Sequence, residues 1–121
     1  MGFTYVKVRV YNPADIQSFS EVELMVDSGA IFTSIPTSQL EELGLKPLER
    51  RKLSIYGGGT VERGIGGAVI EYENHKAFAT VIFGEERDAK ILGATTLESL
   101  GYQLDPVTKK LKPVELLMLK T

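Results

Sequence analysis

The sequence predicts a mainly β domain with two short helices, folded as a closed or partly closed barrel. Three observations support this prediction. Most segments alternate apolar and polar residues with period two, turn-forming residues separate them, and only two stretches join a capping residue to apolar residues at helical spacing. The 121 residues are expected to form a single domain, residues 1–121.

The predicted strands follow one another along almost the whole chain. The first is rich in β-branched and aromatic residues, and the second ends in the apolar triplet Leu24-Met25-Val26, which indicates burial on both faces. The triple glycine at residues 57–59 predicts a hairpin tip between two of the strands. In chain order, the predicted strands are residues 3–11, 19–26, 31–35, 48–56, 60–72, 77–83, 91–93, 102–104, 110–112 and 115–119.

The two predicted helices are short and lie between strands. Thr37 or Ser38 is expected to cap the first helix, and Thr95 or Thr96 the second, because a hydroxyl at this position accepts a hydrogen bond from a free backbone N–H group. A glycine in the left-handed conformation is expected to end each helix. These two glycines are Gly44 and Gly101.

Charge balance and residue usage exclude several classes of function. The chain carries 14 Lys and Arg against 16 Asp and Glu, so no basic field is available to hold nucleic acid or an anionic membrane. With no cysteine and one histidine, His75, neither thiolate catalysis nor a multi-histidine metal site is expected, and no cofactor is implied. Because the N-terminus lacks signal-peptide features and no apolar run approaches the ~18 residues that span a bilayer, a soluble cytoplasmic protein is expected.

The sharpest candidate for chemistry is Asp27-Ser28-Gly29-Ala30, directly after the apolar end of the second strand. Apolar surroundings raise the cost of ionising Asp27, the Ser28 hydroxyl is suited to orient a neighbouring carboxylate, and Gly29 allows the backbone to bring its N–H to the acid. Since the same residue types make ordinary turns, the tripeptide alone leaves a plain turn as the alternative. The apolar residues before it and the strand-forming residues after it favour a site.

Two other segments that contain glycine are candidates for function. Gly57-Gly58-Gly59 lacks the lysine and the Ser or Thr of a phosphate-binding loop, so it is either a flexible hairpin tip or a mobile lid. Ile91-Leu92-Gly93 is typical of a short buried strand whose glycine permits a close backbone approach.

Taken in order along the chain, these motifs resemble the retropepsin-like aspartic proteases, in their cellular and prokaryotic rather than their retroviral form. The family pattern is two apolar residues, Asp-Thr/Ser-Gly-Ala, a glycine-rich flap, an apolar-apolar-Gly motif and a short helix. The resemblance covers roughly residues 18 to 104. Its elements here are Met25-Val26, Asp27-Ser28-Gly29-Ala30, Gly57-Gly58-Gly59, Ile91-Leu92-Gly93 and the helix that leads to Leu100-Gly101.

The resemblance implies the single-lobe acid protease fold, a closed β-barrel with two short helices that forms a homodimer. Each chain would give Asp27 to one active site, Ser28 would brace the two loops, and Gly29 would contact the acids and the substrate. The triple glycine would be the flap that closes over an extended peptide. The implied activity is that of an aspartic endopeptidase, in which two Asp27 carboxylates share a proton and activate water.

Two departures from the retroviral pattern affect the expected dimer. Ile31 stands where retroviral members carry an acid, and Ala94 stands where they carry an arginine. In those enzymes the two residues belong to one polar network, so their joint loss is self-consistent and implies different dimer contacts. The chain also continues beyond the second helix, from Tyr102 to Thr121, as cellular and prokaryotic relatives do.

Three alternatives to a homodimeric endopeptidase are left open by the sequence. The first is a dimeric module of the same fold that binds peptides without cleaving them. The second is a monomeric structural subunit, in which Asp27 is only a turn residue. Since many relatives are embedded in larger chains, a domain derived from a longer parent is the third.

Overall fold

The protein is built mainly from β-strands, and two short helices pack against them. A computed structural model describes residues 2–120. Neither helix in this part of the chain is long and apolar enough to cross a membrane. The strands are β1 (Tyr5–Asn12), β2 (Asp15–Val26), β3 (Thr33–Pro36), β4 (Glu49–Ser54), β5 (Thr60–Tyr72), β6 (His75–Gly84), β7 (Ile91–Leu92), β8 (Tyr102–Leu104) and β9 (Leu111–Pro113), and the helices are α1 (Thr37–Glu42) and α2 (Ala94–Leu100).

One sheet contains all the strands from β1 to β7, in the order β1-β2-β7-β3-β6-β5-β4. β1 also pairs with β5, so the pairing returns to its first strand and only β4 lies outside the ring. Most neighbours are antiparallel, but β7 is parallel to β2, and β3 is parallel to β6. β8 and β9 form a separate hairpin, as the sequence predicts.

The core lies inside this ring, and the period of the strands explains how it is filled. Along β1, Val8 and Val10 are almost fully buried, whereas the alternate residues Lys7 and Arg9 are exposed. Buried residues of the other strands and of both helices complete one cluster. Its most deeply buried members outside β1 are Leu24, Ile35, Leu40, Ala68, Ile70, Val81, Leu92, Leu97 and Leu100.

The ends of both helices are confirmed, but the predicted threonine caps are wrong. α1 begins after Pro36 and α2 after Gly93, and no side chain caps either one. Thr37 Oγ1 instead donates to the carbonyl of Gly84, at 2.9 Å. Both terminal glycines lie in the left-handed region, Gly44 with φ of 77° and Gly101 with φ of 85°.

Most predicted strands differ from the structure by one or two residues at an end, and two differ by more. β2 begins at Asp15 rather than residue 19, because the chain turns back on itself directly after β1 and pairs Asn12 with Asp15. Residues 115–119 are not a strand: they pair with no other strand in the described chain. Leu116, Leu117, Met118 and Leu119, which we call the C-terminal segment, are instead 69% to 89% exposed.

Candidate active site

The Asp27 carboxylate lies at the point where the chain leaves β2. β7 fixes this point, because Met25 and Val26 pair in parallel with Ile91 and Leu92. The ladder continues one residue further, where the Asp27 N–H donates to the Leu92 carbonyl at 3.1 Å. The backbone of Asp27 is therefore anchored in the sheet, while its side chain is partly exposed.

Residues 27–32, which we call the acid loop, fold tightly around the Asp27 side chain. The Gly29 N–H donates to Asp27 Oδ1 at 2.9 Å, which confirms the contact expected from the sequence. The Ala30 N–H donates to the Asp27 carbonyl at 3.1 Å. One carboxylate oxygen is thus held by the backbone, and Oδ2 makes no hydrogen bond within residues 2–120.

The Ser28 hydroxyl does not bond to the acid of its own chain. The residue is exposed, and the hydroxyl bonds to no other residue that the structure describes. Ser28 instead borders a mainly apolar cavity of about 350 Å³ between α2 and the β8–β9 hairpin. The other residues that line this cavity are Ala94, Leu97, Glu98, Tyr102, Gln103, Leu104 and Pro106.

Gly93 allows β7 to pass directly against the acid loop, as the sequence predicts. A Cβ atom on Gly93 would lie 2.4 Å from the Phe32 carbonyl oxygen and 2.9 Å from that of Ile31. Because φ of Gly93 is −86°, this contact and not backbone conformation requires the glycine. The backbone of the Ile91–Gly93 motif therefore packs directly against the acid loop.

The first turn of α2 binds the other end of the acid loop. The Ala94 N–H donates to the Ala30 carbonyl at 2.7 Å. The Ile31 carbonyl accepts two hydrogen bonds from Thr95, one from the N–H at 3.2 Å and one from the hydroxyl at 2.7 Å. The loop is thus held by β7 on one side and by α2 on the other.

Thr33 and Thr96 are a buried polar pair behind the acid loop that the sequence reading missed. Both are fully buried, and their hydroxyl oxygens lie 2.6 Å apart. Thr33 Oγ1 also accepts a hydrogen bond from the Gly93 N–H at 3.1 Å. The sequence carries no local signal of this pair, because the two threonines lie 63 residues apart.

The triple glycine forms the tip of the β4–β5 hairpin. Gly57, Gly58 and Gly59 have φ angles of 97°, 125° and 85°, which residues other than glycine adopt only under strain. Nothing lies within 4 Å of a Cβ atom on any of them. The tip is exposed, and in the described chain no hydrogen bond joins it to the acid loop, whereas a backbone hydrogen bond joins Asp27 to Leu92 of the Ile91–Gly93 motif.

An ion pair that was not anticipated lies at the base of this hairpin. Arg63 of β5 donates from Nε to Asp88 Oδ2 at 2.7 Å and from Nη2 to Oδ1 at 3.1 Å. The hydrogen bonds from Arg63 lower the pKa of Asp88 against the opposing effect of burial, and Asp88 raises the pKa of Arg63. Residues so far apart in the sequence give no local signal of this pairing.

The chemistry available to one chain is that of a single oriented carboxylate. Asp27 Oδ1 is held by a backbone N–H, and Oδ2 is free to accept a proton from water or to hold one. No second carboxylate bonds to Asp27 among residues 2–120. No protein-family model matches this chain, and no curated protein is significantly similar to it.

Proposed function

We propose that the protein is a homodimeric aspartic endopeptidase of the retropepsin-like type, in which each chain supplies Asp27. The observation that carries this proposal is the environment of the acid. Asp27 sits where a buried strand ends, one of its oxygens is fixed by the Gly29 N–H, and the other is open. An ordinary surface turn needs no such anchoring on both sides by β7 and α2.

The architecture supports the proposal. The return of the pairing from β5 to β1 agrees with the closed barrel lobe that the resemblance implies. The parallel insertion of β7 beside β2 places the Ile91–Gly93 motif against the acid loop. The β4–β5 hairpin, with its glycine tip, has the position along the chain and the exposure that a flap needs.

The proposed reaction needs two copies of the carboxylate. Two carboxylates about 3 Å apart cannot both ionise, so the pair shares one proton. The ionised member accepts a proton from water, and the protonated member donates a hydrogen bond to the scissile carbonyl. Water then attacks the peptide carbon without a covalent intermediate, and the apparent pKa values belong to the pair.

Exposed apolar surface supports association of two chains. The C-terminal segment presents four large side chains in succession to solvent, with Leu117 84% and Leu119 89% exposed. Such a patch on a chain of this size is typical of an interface. The apolar cavity beside Ser28 lies near the acid loop, where the family resemblance puts the contact between the two loops.

The proposed substrate is an extended peptide that lies between the acid loops and the two hairpin tips. A strand-like peptide would bond to protein backbone, and closure of the tips would exclude water from the reacting bond. Tyr56, next to the triple glycine, is fully exposed and Ile55 is 46% exposed. Both are suitably placed to cover an apolar substrate side chain when the tip moves.

The test is cleavage of labelled casein between about pH 3 and pH 7, with and without a statine-type transition-state analogue. Asp27→Asn should lower cleavage by about 10²–10⁴-fold, because the pair loses its base, while the fold and the dimer are retained. Asp15→Asn is the matched control, since Asp15 also accepts a hydrogen bond from the backbone two residues on.

Three results would contradict the proposal or redirect it. Cleavage by Asp27→Asn at the wild-type rate would show that Asp27 takes no part in the reaction. Binding of the analogue or of casein without cleavage by the wild-type protein favours the peptide-binding module. If the protein is a monomer in sedimentation at tens of micromolar, both the proposed dimer and the proposed enzyme are contradicted, because one Asp27 cannot form the pair.

A further inference from the structure

The β4–β5 hairpin is attached to the rest of the chain only at its base. The ladder between β5 and β6 begins at Gly64, opposite Phe83. At this point packing is tight, since a Cβ atom on Gly64 would lie 2.8 Å from the Pro47 side chain. Beyond it, within the described chain, residues 49–62 make hydrogen bonds and ion pairs only inside the hairpin.

We call residues 49–62 the outer hairpin. Arg63, at its base, makes the one polar side-chain link between the hairpin and the remaining described residues. Its side chain is only 13% exposed, and it binds both oxygens of Asp88. Nη1 also donates to the Glu62 carbonyl at 2.9 Å, so the guanidinium is fixed to its own strand. A fork that binds two oxygens fixes direction as well as distance, which a single contact does not.

Asp88 is equally well fixed on its side of the pair. Its Oδ2 accepts the Glu85 N–H at 2.7 Å, and the Asp88 N–H donates to the Glu85 carbonyl at 2.9 Å. The same segment continues to Lys90, whose carbonyl accepts the Met25 N–H at 2.9 Å, two residues before Asp27. The segment 85–90 therefore connects the ion pair directly to the strand that carries the acid.

Asp88 is the main counter-charge of Arg63. Arg51 of β4 lies directly opposite Arg63 in the β4–β5 ladder, and like charges in this position repel. Asp88 neutralises Arg63, and Glu85 Oε1 adds a weaker contact at 3.4 Å, with Glu85 largely exposed. Without Asp88, the two arginines face each other with only this exposed partner.

We infer that Arg63 and Asp88 are positioning residues, whose ion pair sets the orientation of the hairpin tip relative to the rest of the described chain. This inference rests on the proposed function for its link to cleavage. Arg63 is four residues from Gly59, about 13 Å of extended strand, so a small rotation at the pair moves the tip by several ångströms. Neither side chain touches the reacting atoms, and both act through the backbone of the hairpin and of the segment 85–90.

The test compares Asp88→Asn with Glu62→Gln by hydrogen–deuterium exchange and mass spectrometry, well below the unfolding temperature. Asp88→Asn should speed exchange of residues 50–60 by about tenfold, because this loss frees the outer hairpin. Exchange in the β5–β6 ladder, residues 66–72, should not change. Glu62→Gln removes the exposed Arg50–Glu62 pair inside the hairpin and should leave both regions as in the wild type.

Two further measurements separate positioning from general stability. Asp88→Asn should raise KM for a casein peptide several-fold more than Glu62→Gln does, and Arg63→Lys should restore part of the exchange protection that Arg63→Met loses. Unchanged exchange at residues 50–60, or faster exchange throughout the chain, would overturn the inference. If the wild-type protein cleaves nothing, the proposed function fails, and exchange alone decides whether the pair positions the hairpin.

Discussion

The Thr33 and Thr96 hydroxyl oxygens lie 2.6 Å apart, fully buried between the acid loop and α2. Thr33 also accepts the Gly93 N–H, so its oxygen joins β3, β7 and α2 at one point. Because water does not reach this point, each of these polar groups depends on the other two.

Thr33→Val is expected to destabilise the protein more than Thr96→Val. The first change leaves the Gly93 N–H and the Thr96 hydroxyl unpaired, at about 2–4 kcal/mol in total, whereas the second removes one bond, at about 1 kcal/mol. Urea unfolding of both variants, with the exposed Thr80→Val as control, measures the difference. Equal losses would mean that Gly93 finds another acceptor.

Gly93→Ala is expected to lower the free energy of unfolding by about 1–3 kcal/mol and to displace the acid loop. The added methyl group would stand 2.4 Å from the Phe32 carbonyl oxygen, and backbone atoms cannot move aside cheaply. Gly67→Ala is the matched control, because its nearest neighbour would be 3.9 Å away, so little change is expected. Thermal unfolding of both variants gives the comparison, and equal melting temperatures would refute the clash.

Leu117→Asp combined with Leu119→Asp is expected to convert the proposed dimer to monomer. Each buried leucine contributes about 1.5–3 kcal/mol, so their loss should raise the dissociation constant by at least about 100-fold. Val107→Asp is the control, since Val107 is 87% exposed but lies outside the C-terminal segment. Sedimentation measures the mass, and casein cleavage should fall with the dimer. A double variant that remains dimeric would place the interface elsewhere.

The Arg63–Asp88 pair is expected to make stability depend on pH at the acid end. Because the folded-state pKa of Asp88 is lowered, the pair stabilises the fold fully above about pH 5, and this contribution is lost as pH falls through the lowered pKa. The quantity to measure is the difference in unfolding free energy between wild type and Asp88→Asn, which cancels other acids such as Glu71.

That difference should be constant near neutral pH and shrink towards zero below about pH 4. The charged groups around the pair are Glu85, which also contacts Arg63, and Arg51, which lies opposite Arg63 in the β4–β5 ladder. A difference that grows on acidification would mean that Asp88 is repelled rather than stabilised in the folded state.

Local patterns in the sequence predict much of the fold, because strand periodicity and turns are determined by interactions between residues close in sequence. The bounds of β5 agree with the prediction at both ends, since period-two alternation and the flanking turns act over a few residues. Directly after β5, as the end of the predicted strand 60–72 requires, the chain turns at Glu73 and Asn74, which have positive φ angles of 52° and 69°. The glycine ends of both helices are confirmed for the same reason.

The errors arise where distant residues compete for the same groups. The threonines predicted as helix caps bond instead to Gly84, Ile31 and Thr33, all supplied by remote segments. The apolar pattern of residues 115–119 is typical of a strand, but no described strand pairs with them, although β4 and the β8–β9 hairpin have free edges. A strand pattern predicts which side chains of a segment can be buried, but it does not predict which other strand the segment pairs with.

The candidate site likewise contains local contacts that the sequence predicts and long-range contacts that it does not. The motif around Asp27 and the contact of Gly29 with its carboxylate are local, and the sequence predicts them. The Thr33–Thr96 and Arg63–Asp88 pairs depend on how the sheet closes, so they became visible only in three dimensions. Whether Ser28 contacts a second chain stays a prediction, since its hydroxyl has no partner within residues 2–120.

The insertion of β7 between β2 and β3 also determines when the acid loop can form. Asp27 is made before the residues that hold its loop, and the bonds that hold this region span 60 to 64 positions. Contacts of such long range form slowly and late. A chain still on the ribosome therefore carries Asp27 before its loop is held in place, and under the proposed function cleavage would begin only after these late contacts form.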